Sequence, residues 1–305
     1  MIGTKDRAQG AGVWLFFLIT FGWSWSIAAA LHLSGGELSL ISAVLYMAGP
    51  GVAAFLCAFI YDRHRFFVSL GLKSNPFNKW LLIAFLTPIL IAVITHLATI
   101  YIGGREMLSL ESGFTIQIEK AGIDPETLPM TVKQIAILQV LTAPFVAAIV
   151  NTIGMMLTEE VGWRGWLWDR WSHMPFWHHA LLTGLIWGVW HAPIIALGYN
   201  YPDLPVWGPV IFTVLVMLIT PIIALIREAG GSMVHAAMFH GMFNGMAPLT
   251  VILMADPTMP WLGLLGLGGF GTLAIGVVIV FFFRRRQGAD QRSLRRGGLA
   301  AARKI

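Results

Sequence analysis

Three clusters of polar residues in an otherwise apolar chain have the types and spacing for chemistry. The first is Glu159 and Glu160 followed by Arg164. Residues four apart lie on one helix face, so Glu160 and Arg164 are placed to pair as ions. Glu159, five positions from Arg164, is rotated away and left without that partner. A carboxylate facing a dehydrated cavity is a stronger base than one in water, which suits it to general-base work. The second cluster is Trp187 and His191, four apart, with the indole covering the face that carries the imidazole. The third is His240 and Asn244 at the same spacing, with Gly241 and Gly245 letting a second backbone or a peptide approach. A free carboxylate, two imidazoles, an amide and an ion pair suit water activation and oxyanion stabilisation. No serine or cysteine stands in a nucleophile-like setting, so water is the expected attacker.

Each cluster also has a structural reading. Glu159 and Glu160 can be interfacial charges sharing one arginine at a helix end. His191 can be a core histidine bonded to a backbone carbonyl, and His240 and Asn244 can tie helices together. Depth weighs toward function, because ionisable groups inside a membrane are costly. His32, His64, His96, His173, His178, His179 and His235 sit near helix ends or off the relevant faces and are read as structural.

The elements that must position these residues are membrane helices. Of 305 residues, 57% are hydrophobic and only 11% charged, against about 25% charged in a soluble domain. Apolar runs of about 20 residues, enough to cross the hydrocarbon core, recur along nearly the whole chain. The expected helices are Ala11–Leu33, Ser39–Tyr61, Trp80–Ile102, Ile135–Thr158, His179–Leu197, Trp207–Ile226, Met233–Met254 and Met259–Phe283. The fold class is therefore all-α and polytopic, with about eight transmembrane helices enclosing a polar catalytic cavity. Residues 1–283 form one transmembrane domain with its catalytic core at about 135–255. The first run is too long for a signal peptide and is read as a membrane helix. Pro50, Pro144, Pro193 and Pro221 suggest kinks that open a cavity. The single cysteine, Cys57, excludes an internal disulfide and a cysteine metal site.

Charge orients this layout. One face collects Lys5, Arg7, Arg63, Arg65, Lys73, Lys79, Arg164, Arg170, Arg227 and eight basic residues from Arg284 onward, seventeen of the twenty Lys and Arg. The other has Arg105, Lys120 and Lys133. Basic residues mark the cytoplasmic side, so both termini are expected there. The net charge of +5 thus reflects a membrane surface rather than nucleic acid. The tail, 284–305, is expected to be disordered beside anionic lipid. The loop 103–134, with turn chemistry at Asp124-Pro125-Glu126, is expected outside and partly on the membrane surface.

The order and spacing of the clusters resemble the CPBP (Abi) family of CAAX-protease and bacteriocin-processing membrane proteins. Its E-E-x-x-x-R motif is present as Glu159, Glu160 and Arg164. Its F-x-x-x-H motif is present as Trp187 to His191, with tryptophan for phenylalanine, and its H-x-x-x-N motif as His240 and Asn244. Ser232 and Leu70-Gly71-Leu72 are also similar to the family. The resemblance implies a glutamate-dependent intramembrane endopeptidase of a prokaryotic cell membrane, needing no cofactor or metal. It implies that Glu159 and His191 activate water, that His240 and Asn244 stabilise the oxyanion, and that Glu160 and Arg164 shape the site. Trp187 becomes a substrate-contacting aromatic, its change from phenylalanine affecting little beyond cavity shape. Membrane lipid and a peptide or lipidated peptide are the implied partners.

Three rivals stay open. Glu159, His191 and His240 can form a zinc ligand set, although no H-E-x-x-H motif is present. Polar residues on proline-broken helices also suit a transporter, although no internal repeat is visible. The third is a non-catalytic immunity or scaffold protein.

Overall fold

The computed structural model describes residues 4–302, and the side chains of residues 12–287. Its long elements are α1 Thr4–Ser34, α2 Leu40–Met47, α3 Gly49–Tyr61, α4 Lys79–Tyr101 and α5 Leu110–Lys120. After these come α6 Val132–Arg170, α7 Phe176–Ala196, α8 Gly208–Gly230, α9 Met233–Met246 and α10 Leu267–Ala302. The basic tail expected to be disordered lies, beyond Gln287, outside the described side chains. Among the described residues seven helical segments are long and apolar enough to cross a bilayer: those of α1, of α2 with α3, and of α4, α6, α7, α8 and α10. Large apolar side chains face outward on several of these, as at Trp14, Leu82, Leu141 and Val278. Such a belt suits lipid. The chain is an all-α polytopic integral membrane protein.

The remaining expected segment, Met233–Met254, is broken. Its helix stops at Met246 and resumes as the single turn Leu249–Ile252. Pro248 lacks the amide hydrogen that would continue the ladder. The broken segment still runs the length of α4. At its start the Ser74 hydroxyl donates to Ser232 Oγ at 2.8 Å, and His235 Nε2 bonds the Pro76 carbonyl at 2.8 Å. At its end Leu108 N donates to Leu253 O at 2.9 Å, and Arg105 pairs with Asp256 at 3.0 Å. The loops before and after α4 therefore flank its two ends.

Side-chain caps fix where the helices begin. Asn78 accepts from Trp80 N at the start of α4, Ser109 caps α5, and Thr131 with Gln134 forms a capping box on α6. Gly231 ends α8 at φ 77°, and Ser232 next to it caps α9, so two residues turn the chain around. Pro50 opens α3 after a break at Ala48, and Pro88, Pro144, Pro193 and Pro221 lie inside helices.

The α6 helix is the longest membrane element, at 39 residues, and is irregular. Three residues after Pro144 it becomes π-helical over Ala147–Asn151, and again over Met156–Trp166. Such local adjustments re-satisfy backbone groups near a proline in a membrane, and π stretches often accompany functional sites. The second stretch carries the whole first cluster. It lies backbone to backbone against α3: a Cβ on Gly162 would sit 2.7 Å from Pro50 O, and one on Gly51 2.1 Å from Leu157 O. In loop 103–134, α5 and a short turn at Pro125–Thr127 capped by Asp124 supply structure.

Candidate active site

The π-helical stretch of α6 buries both glutamates, Glu159 at 2% and Glu160 at 0% exposure. Arg164 Nη1 donates to Glu160 Oε1 at 2.9 Å, the pair that the four-residue spacing requires. Among the described residues Glu159 makes no ion pair. It accepts one hydrogen bond, from Trp187 Nε1 to Oε2 at 2.7 Å. The Arg164 guanidinium stacks over that same indole, 4.4 Å from the ring centre.

Two of these side chains have further partners. Glu160 does not serve Arg164 alone, because His240 Nδ1 donates to the same Oε1 at 2.8 Å. Eighty residues separate this pair, so no helical spacing could reveal it. Trp187 also does more than offer an aromatic face. Its N–H holds Glu159, a bond that a phenylalanine at that position could not make. A buried indole N–H demands a partner, and that was the available signal.

The histidines are fixed by what their Nδ1 atoms touch. His191 Nδ1 lies 2.9 Å from the Trp187 carbonyl, which can only accept. Nδ1 therefore carries the proton, and Nε2 of the neutral ring is left with a lone pair. Phe212 and Trp190 hold the ring, at 4.7 and 4.5 Å between centres. His240 has Glu160 Oε1 behind Nδ1, which fixes the orientation of its ring. Asn244, one turn further on, is exposed to the cavity, and its Nδ2 lies 3.3 Å from Met155 Sδ. Gly241 lets α9 meet α6 closely, since a Cβ there would sit 2.5 Å from Thr152 N.

Glu159, Trp187, His191, His240 and Asn244 all line one cavity of about 500 Å³. Glu160 and Arg164 lie behind this lining. The cavity is less polar than expected: its walls include Phe212, Leu215, Val216, Ile219 and Phe243. Sequence reasoning missed Gln117 of α5, and Tyr199 and Asn200 after α7, which also line it. Burial, and next the Glu159 charge, push the Tyr199 phenol up from its ordinary value, so it remains a donor. Among the described residues no group of three or more His, Cys, Asp and Glu is arranged to hold a metal ion, which gives the zinc ligand set no geometric support.

Residues 141–246 match the family described as Type II CAAX prenyl endopeptidase Rce1-like. This segment is of the CPBP family. No curated protein matches the chain. The Rce1-like segment contains all three clusters and ends two residues after Asn244. It supports a membrane protease of the CAAX type. Ser232 and Leu70, noted beside the CPBP motifs, are fully buried: Ser232 caps α9, and a Cβ on Gly165 would sit 2.4 Å from Leu70 O. Of the other histidines of the Rce1-like segment, His179 stacks against Trp168 and His235 bonds two carbonyls.

Proposed function

We propose that the protein is an intramembrane endopeptidase that uses Glu159 as general base on water. The convergence of Glu159, His191, His240 and Asn244 on one cavity supports this reading most. A water between the Glu159 carboxylate and His191 Nε2 gives its proton to Glu159 as its oxygen attacks the peptide carbonyl. The oxyanion is stabilised by Asn244 Nδ2 and by the His240 ring. Glu160, with its Oε1 against His240 Nδ1, keeps that ring oriented. The proton on Glu159 then passes to the leaving nitrogen as the carbon–nitrogen bond breaks, freeing a carboxyl and an amino terminus. General-base catalysis typically contributes about 10²–10⁴-fold, and an oxyanion donor about 10²–10³-fold. Trp187 both holds Glu159 and offers a face to substrate.

The charge bias supports an orientation with both termini in the cytoplasm, and the family resemblance supports a prokaryotic cell membrane. Its partners are membrane lipid and a peptide or lipidated peptide. Purified full-length protein incubated with prenylated and unprenylated peptides, read by mass spectrometry, tests the activity. Cleavage that survives chelator treatment is the expected result. Cleavage that chelator abolishes and zinc restores, or no cleavage of any peptide, contradicts the reading.

A further inference from the structure

The turn after α7 brings to the cavity two polar side chains that the chemistry above leaves unused. Gly198 N donates to Ile195 O at 2.9 Å and Tyr199 N to Ile194 O at 3.1 Å, which closes off the helix. Gly198 has φ 101°, and Asn200, at φ 63°, is the one non-glycine with positive φ among the described residues. Tyr201 N donates to Tyr199 O at 2.8 Å, so the chain turns within three residues around Asn200. A three-residue turn with positive φ at its centre is rare and strained. Its surroundings hold it in place. Tyr201 is fully buried, its hydroxyl donates to Leu265 O at 2.7 Å, and a Cβ on Gly208 would sit 2.9 Å from Tyr201 Cβ. Strain of this kind persists where the fold over-determines it, and it gathers at functional sites. Asparagine is tolerated in the left-handed region, but glycine fits it without steric cost. What asparagine adds to the turn is an amide on the cavity wall.

We infer that the Tyr199 hydroxyl and the Asn200 amide hold the main chain of the substrate next to the bond to be cut. This rests on the peptidase reading above and adds a binding subsite to the same cavity. A peptide entering the cavity meets walls made by Phe212, Leu215, Val216, Ile219 and Phe243. Apolar walls cannot bond a main-chain N–H or C=O, and each such group left unpaired away from water is destabilising. Glu159, His191, His240 and Asn244 are committed to the reacting bond, and the Trp187 N–H is committed to Glu159. The polar side chains that remain on the described lining are Gln117, Tyr199 and Asn200. Among the described residues neither the Tyr199 hydroxyl nor the Asn200 amide has a hydrogen-bond partner. The amide carries a donor and an acceptor, the same pair that a peptide group offers, and the phenol adds a donor. A turn pinned on both sides presents them pre-organised, which lowers the cost of ordering on binding. Contacts of this kind are made to the main chain, so they serve peptides of different sequence.

Two variants of the full-length protein test this. Asn200→Gly keeps the turn and removes the amide, and Tyr199→Phe keeps the ring and removes the hydroxyl. Both should melt in detergent at the temperature of the unmutated protein. Binding of end-blocked apolar peptides is read by tryptophan fluorescence in a Glu159→Gln background, so that it does not depend on cleavage. Each variant should weaken binding about tenfold, the effect of one lost hydrogen bond. The same peptides, each N-methylated at a single peptide bond, separate main-chain holding from a structural role. One methylation away from the cut bond should weaken binding about tenfold where Asn200 is present and make no further difference in Asn200→Gly. Equal sensitivity of both proteins to every methylation, unchanged binding in both variants, or no binding of any peptide overturns the inference. Cleavage of the same peptides by the protein that retains Glu159 is scored separately. Binding that follows the expected pattern without any cleavage overturns the peptidase reading and leaves the main-chain contacts standing.

Discussion

Two constellations of tryptophan, carboxylate and arginine occur in this molecule, one at the basic end of the bundle and one beside the cavity. At the basic end Trp166 Nε1 donates to Asp62 Oδ2 at 3.0 Å, and Arg170 stacks over the indole at 4.7 Å. Beside the cavity Trp187 Nε1 donates to Glu159 at 2.7 Å, and Arg164 stacks over the indole at 4.4 Å. The parts are alike, but the destination of the cation differs. Arg170 pairs with the carboxylate that the indole holds, and Arg65 adds a second pair, so Asp62 is saturated. Arg164 pairs with the neighbouring Glu160 instead. Glu159 keeps one hydrogen bond and a free oxygen beside open space. A reactive carboxylate arises here because its cation is diverted to the residue next door, and the same parts without that diversion make a latch.

The variants that would break this contrast can be ordered by expected effect. Glu160→Gln should be the most damaging, since it removes the charge facing both Arg164 and His240. Leaving a buried charge without its partner costs roughly 3–5 kcal/mol. The expected result is a clear fall in Tm in detergent together with loss of cleavage. A Tm equal to that of the unmutated protein would refute the bridging role. Asp62→Asn should cost about 1–3 kcal/mol, because Arg170 and Trp166 lose a charged acceptor. Cleavage per folded molecule should be unchanged. A selective loss of cleavage would mean that the basic-end constellation is part of the chemistry. The indoles sharpen the comparison further. A hydrogen bond to a charged group is worth about 1.5–3 kcal/mol, so Trp187→Phe should lower the cleavage rate tenfold or more with little change in melting. Trp166→Phe should do the reverse, lowering Tm and sparing the rate. Identical profiles for the two would erase the distinction.

Much of the site was legible in the sequence for one physical reason. Ionisable residues in apolar helices are costly, so Glu159, Glu160, His191 and His240 stood out against their surroundings. The Glu160–Arg164 pair followed from helical spacing alone, and Asn244 shares a cavity with His240 because the two are one turn apart. Contacts between helices were not legible. The bond from His240 to Glu160 and the bond from Trp187 to Glu159 depend on how α6, α7 and α9 pack, which no local periodicity encodes. The π-helical stretches were hidden because hydropathy looks the same for either helix type. The break at Ala247–Pro248 was smoothed over by an apolar run that continues through it. Gln117 of α5, and Tyr199 and Asn200 after α7, were not legible as lining residues because no spacing rule links them to Glu159.

The central claim is that Glu159 draws the proton from the attacking water. Cleavage in heavy-oxygen water, comparing the unmutated protein with Glu159→Gln, tests it most directly. The substitution keeps shape and hydrogen-bonding capacity, and no ion pair is lost with it. The account predicts that the unmutated protein places one heavy oxygen in each new carboxyl terminus. It predicts that Glu159→Gln melts at the same temperature yet cleaves about 10²–10⁴-fold more slowly. Full cleavage by Glu159→Gln, or products without heavy oxygen in the new carboxyl terminus, would contradict it.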